Sequence, residues 1–110
     1  MLVQHENLAA GKWFELSLVE QMAHIGSEIS RALHWQNKDE KLYTNAINRA
    51  LELLDLTIRD PHRRGQLKEI VRARELLGDA IFGGELYGTS LNDLDRYFFH
   101  FGLAARVLKQ

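Results

Sequence analysis

Residues 11–35 read GKWFELSLVEQMAHIGSEISRALHW, and the spacing of the apolar residues in this stretch decides the fold class. Leu18, Met22, Ile25, Ile29 and Ala32 follow one another at intervals of 4, 3, 4 and 3, which places all five on one side of an α-helix. Trp13, Phe14 and Leu33 widen the stripe. The pattern predicts a helix from Gly11 to Trp35 with one face to bury.

The same period recurs three times towards the C-terminus. Asn37 and Glu40 have the spacing of a capping box, in which the Asn oxygen takes an orphan amide and the Glu reaches back. The helix they open is predicted to run to Arg59, with Tyr43, Ile47, Ala50, Leu54 and Thr57 inward; it stops there because the residue before Pro61 is pushed out of helical geometry. His62 to Gly65 is a connector. A third helix is expected from Gln66 to Phe82, with Leu67, Ile70, Leu77 and Ile81 in line, ended by Gly83 and Gly84. Thr89 or Ser90 caps the last helix and Asp93 suits its positive end. Its apolar residues Leu91, Leu94, Phe98, Phe101, Ala105 and Leu108 are spaced 3, 4, 3, 4 and 3. Four amphipathic segments joined by short connectors predict an all-α, antiparallel up-down four-helix bundle, one domain across residues 1–110.

The composition of the 110 residues agrees: 45% hydrophobic, 26% charged and a single proline. The absence of cysteine excludes disulfides, thiolate nucleophiles, zinc–thiolate sites and iron–sulfur clusters. No run approaches the roughly 20 apolar residues of a membrane span. The stretch Met1 to Ala10, with His5 and Glu6, lacks the pattern of a signal peptide, so a cytoplasmic location with no membrane partner is expected. A formal net charge of −1 argues against a globally basic nucleic-acid binder. None of Ser17, Ser27, Ser30 and Ser90 sits in a Gly-x-Ser-x-Gly turn, and Gly83, Gly84 and Gly88 lack the lysine of a phosphate-binding loop.

Two charged stripes are candidate metal sites. Glu20, His24, Glu28 and Arg31 lie along one face of the first helix; Arg49, Glu52 and Asp55 share a face of the second. A carboxylate pair at i,i+3 can hold magnesium and leave positions open for phosphate oxygens. Glu28, Glu52 and Asp55 are therefore the candidate ligands. The plainer reading of these charges is structural: Glu28, Arg31, Arg49, Glu52, Arg74 and Glu75, with Arg72, form a pairing network that fixes helix register. Arg74 falls near the core stripe, where it either snorkels to the surface or meets a buried carboxylate such as Glu28 or Glu52.

Glu28-Ile29-Ser30-Arg31-Ala32-Leu33 followed by Glu52-Leu53-Leu54-Asp55-Leu56 resembles, over about a third of the chain, the carboxylate motifs of the all-α nucleotide pyrophosphatases, the MazG and dimeric dUTPase group. The resemblance implies magnesium bound by carboxylates on consecutive helices and acting on a nucleotide's phosphates. Ile25 stands where that family has the partner carboxylate of Glu28, so three of four carboxylates are present. Glu75 and Asp79 offer a second, fainter placement of the latter motif.

Two further features concern phosphate. Residues 59–74 hold six Lys and Arg against two acids, and His62, Arg63, Arg64, Lys68 and Arg72 form a candidate anion or RNA site where the connector enters a helix N-terminus. Arg96 and His100 are spaced i,i+4 on the last helix, and three residues intervene where the HEPN group of helical ribonuclease-like domains has four to six. An inert helix surface is the stronger reading there.

The leading expectation is a small non-enzymatic helical-bundle association module, homodimeric because Tyr97 and Phe99 flank the apolar stripe of the last helix. It needs no cofactor. The alternatives are a magnesium-dependent pyrophosphatase-like enzyme and a phosphate- or nucleic-acid-binding domain.

Overall fold

Ser17 sets the start of the first long helix. Its hydroxyl accepts from the Glu20 amide at 3.1 Å, and the Glu20 carboxylate accepts from the Ser17 amide at 3.1 Å. This reciprocal capping box opens α1, Leu18–Trp35. In the computed structural model, which describes residues 11–108 and side chains as far as residue 104, the chain is helical at 11–13 and turns before α1 begins. The uninterrupted helix expected from Gly11 is therefore two pieces, because the cap at Ser17 ends the path of any helix coming from Gly11.

The second boundary also differs from its expectation. Asn37 does not cap α2; it takes a φ of 65°, a left-handed conformation that asparagine tolerates and that follows the end of α1. Asp39 is the cap, its carboxylate accepting from the Leu42 amide at 3.0 Å. Helix α2 spans Glu40–Arg59 and stops, as expected, ahead of Pro61. The connector is itself structured, two short 3-10 turns over Pro61–Gln66 that meet at a kink at Arg63 (φ −101°, ψ 15°), with proline at the first position. Helix α3 covers Leu67–Ile81 and α4 covers Leu91–Leu108. Ser90 and Asp93 form a second reciprocal cap, each side chain accepting from the other's amide at 3.1 Å.

The four helices form an all-α up-down bundle, with no strand among the described residues. Helix α1 is its axis, packing extensively against α4 on one side and α2 on the other; α3 closes the ring through lighter contacts with both α2 and α4. The stripe that announces α1 is the core: Met22, Ile25, Ile29 and Ala32 are buried, against Ile47, Ala50 and Leu54 of α2 and Leu91, Leu94 and Phe98 of α4. Burying one such large aliphatic or aromatic side chain contributes about 1.5–3 kcal/mol before entropy is counted. The α1–α4 seam is tight because Gly26 has no side chain: a Cβ there would lie 2.8 Å from the Cβ of Phe98. On α3, Ile70, Ala73 and Leu77 are buried, but Leu67, the first residue of the helix, is exposed, contrary to its place in the expected stripe. The stripe positions Ala105 and Leu108, and the N-terminal His5 and Glu6, lie outside the described side chains.

Candidate functional site

Three places combine polar chemistry with shape. The first is an open groove of about 890 Å3 along α1 and α2, and it brings together the residues singled out in sequence: Glu28, Arg31, Arg49, Glu52 and Asp55 all line it. Two of its carboxylates have cationic partners. Arg31 donates to Glu28 at 2.7 Å within α1, and Arg74 of α3 donates to Asp55 at 2.8 Å. Arg74 thus reaches Asp55 rather than Glu28 or Glu52. Among the described residues no group of three or more His, Asp and Glu side chains is close enough to hold a metal ion. The rest of the charged stripe on α1 is divided: Glu20 belongs to the helix cap, and the His24 ring lies 5.8 Å from that of Trp13.

The second place was not singled out in sequence. Asp60, counted there only as an acid within a basic run, is buried at the junction of α1, α2 and the 3-10 turn. Its Oδ1 accepts from the His62 amide at 2.9 Å and meets His62 Nδ1 at 2.8 Å; its Oδ2 accepts from Gln21 Nε2 at 2.8 Å and from Arg63 Nε at 3.4 Å. Gln21, fully buried, also donates to the Trp13 carbonyl at 2.9 Å. Trp13 Nε1 donates to Thr57 Oγ1 at 2.9 Å, and that hydroxyl donates to the Leu53 carbonyl at 2.7 Å. Burial pushes the Asp60 carboxyl up, but donors from Gln21 and His62 and the charge of Arg63 outweigh it and hold the group below its ordinary value. The cluster ties the turn after α2 to the segment before α1. A signal for it exists: Asp before Pro is a capping pattern, and Gln21 interrupts an otherwise apolar face.

This cluster redirects the basic connector. The Arg63 side chain is only 14% exposed, held between Asp60 and the Leu16 carbonyl, so it does not point at an outside anion. His62 is exposed but bonded to Asp60, whereas Arg64 and Lys68 face outward. Arg72 lies over the ring of Tyr87, 4.4 Å from its centroid.

The third place is a cleft of about 470 Å3 between α3 and α4, bounded at one end by the loop that joins them. Asp79 builds that loop: its buried carboxylate accepts from the amides of Leu86 at 2.9 Å, Tyr87 at 3.1 Å and Thr89 at 3.3 Å. Burial pushes this carboxyl up, and the three amides outweigh it to leave it lowered. Gly84 completes the turn at φ +75°, where a Cβ would strike the Thr89 carbonyl oxygen at 2.8 Å. Across the cleft, Tyr97 donates to Glu69 at 2.9 Å. Burial, then that hydrogen bond and the Glu69 charge, push the Tyr97 phenol up to about 12.

Beyond these, Phe82 and Leu86 of the α3–α4 loop are 84% and 81% exposed, and Phe99 and Leu103, one helical turn apart on α4, are 61% and 42% exposed. Arg96 pairs with Asp93 of the α4 cap, and His100 is exposed beside Phe99. No described helix is long and apolar enough to cross a membrane. Comparison with protein-family models, with curated proteins and with solved structures finds no match for this chain.

Proposed function

We propose that the chain is an association module that pairs with a second copy of itself through the outward side of α4. The observation that supports this reading is the exposure of Phe99 and Leu103 at i,i+4 spacing, which gives α4 a second apolar strip opposite to its buried stripe. Four of the carboxylates already have a partner or a structural duty: Glu28 with Arg31, Asp55 with Arg74, Asp60 in its buried cluster and Asp93 in a cap. Sedimentation equilibrium at micromolar concentration tests the reading. A dimer is expected for the natural chain and a monomer for Phe99→Asp/Leu103→Asp; a natural chain that stays monomeric ends it.

A second reading, magnesium-dependent work on a nucleotide's phosphates, has one observation for it, that Glu28, Glu52 and Asp55 line a single open groove, and it requires Glu28 and Asp55 to leave Arg31 and Arg74 and the three carboxylates to draw together around the ion. Melting curves with magnesium and nucleoside triphosphates test it, because a ligand at a hundred times its Kd adds roughly 2.7 kcal/mol. A rise that needs both components and disappears in Glu52→Gln supports it. Short RNA in the same experiment tests the exposed Arg64 and Lys68.

A further inference from the structure

We propose that the cleft between α3 and α4 binds a guanidinium-type organic cation, and that Arg72 occupies the cation's place when no ligand is present. The walls are aromatic, Tyr87 from the loop and Tyr97 from α4, with Leu76 among the apolar side chains between them. A tyrosine face attracts a cation lying within about 6 Å of the ring centroid. The Arg72 guanidinium already does this at 4.4 Å from Tyr87, so the cleft displays the contact a ligand would make.

Charge sets the sign of the ligand. Glu69 and Asp93 line the cleft with Arg72, and since Asp93 is paired with Arg96 while Arg72 lies on the Tyr87 ring, Glu69 is the carboxylate left to meet a cation. Asp93 is committed to the α4 cap and to Arg96. Glu69 uses Oε1 to accept from the Tyr97 hydroxyl, which leaves Oε2 for a ligand N–H. The wall is preformed, since Asp79 fixes the loop amides on which Tyr87 is carried. Arg72 itself is exposed and lies on the ring rather than on either carboxylate, so a competing cation can displace it without breaking an ion pair to Glu69 or Asp93.

Arg72 therefore acts as an internal competitor, and the consequence of removing it separates this reading from anion binding. Ethylguanidinium is titrated into the full chain while the ring signals of Tyr87 and Tyr97 are followed by NMR, with inorganic phosphate and sodium chloride at matched ionic strength in parallel. Arg72→Ala is expected to bind ethylguanidinium about threefold more tightly than the natural chain, the scale of one exposed cation–aromatic contact. Glu69→Gln is expected to weaken binding, and phosphate to leave both rings unmoved. Arg72→Gln serves as the second variant if Arg72→Ala loses its helical circular dichroism. Unmoved tyrosine signals with ethylguanidinium in a folded Arg72 variant overturn the proposal, as does phosphate binding that the Arg72 variant abolishes.

Discussion

The two sides of this bundle are built differently. Where α1 meets α4 and α2, the packing is dense: Gly26 lets the backbone of α4 come in at Phe98, and Ile25, Ile29 and Leu54 have no exposed surface. Where α3 meets its neighbours the seams are lighter, Leu67 and Val71 show at the surface, and a cleft remains between α3 and α4. The polar devices follow the same division. Asp60 is held by the side chains of Gln21 from α1 and of His62 and Arg63 from the connector; Asp79 gathers only loop amides and shapes the rim of an opening. Dense packing spends a chain's apolar residues on stability, and loose packing leaves aromatic and charged groups within reach of a partner. The aromatic cleft and the exposed apolar residues therefore fall on α3, α4 and the loop between them, while the open groove along α1 and α2 is edged with charged side chains.

The largest expected effect comes from emptying the dense side. Phe98→Ala should lower the unfolding free energy by about 3–5 kcal/mol, through lost transfer energy and the cavity left behind. Leu67→Ala, on an exposed turn of α3, should stay within about 0.5 kcal/mol of the natural chain. Urea titration of both variants compares the two sides directly, and equal losses would break the distinction.

Next in size is the Asp60 cluster. Asp60→Ala removes the acceptor for Gln21, His62 and Arg63 and should cost about 2–3 kcal/mol. The same carboxylate sets an acid limit. Its folded value lies below the ordinary 3.8, so its contribution is fully present above that value and is lost as pH falls through the lower, folded one. Melting temperatures of the natural chain should therefore drop from about pH 4 downward, and Asp60→Asn should show a shallower drop. Asp79 is lowered too and acts in the same direction, so the slope in Asp60→Asn should shrink without vanishing.

The smallest effects come from a pair of glycines. Both Gly26 and Gly78 lie within helices, where alanine gains up to about 1 kcal/mol in helix propensity. At Gly26 the added methyl meets Phe98, and overpacking of about 1–3 kcal/mol should outweigh the gain. At Gly78 nothing lies within 4 Å of the added carbon, so the gain should survive. Opposite signs for Gly26→Ala and Gly78→Ala in denaturant titrations would sharpen the contrast between α1 and α3; a common sign would remove it.

Much of this fold is legible in the sequence. The apolar intervals of α1, α2 and α4 named the residues that meet in the core, because a helix repeats every 3.6 residues and an interval of 3 or 4 holds a side chain on one face. Boundaries were less legible. Ser, Asp and Asn all cap helices, and the linear pattern does not say whether Asn37 or Asp39 sits at the turn; the left-handed backbone at Asn37 decided it. The charged candidates were legible as a set sharing a groove, but not as pairs. Asp55 and Arg74 are 19 residues apart, and only the approach of α3 to α2 selects that partnership over one with Glu28 or Glu52.

By itself, the sequence determined that this chain folds into four helices, which faces α1, α2 and α4 bury, and that cysteine chemistry plays no part. Those properties are local, set by residue periodicity, capping chemistry and composition. Tertiary structure alone decided that Asp60 and Gln21 are buried together, that Arg63 turns inward, and that Tyr87, Tyr97, Glu69 and Arg72 border one cleft. Such placements join residues distant along the chain, and they depend on how tightly each pair of helices packs, a quantity no single helix encodes.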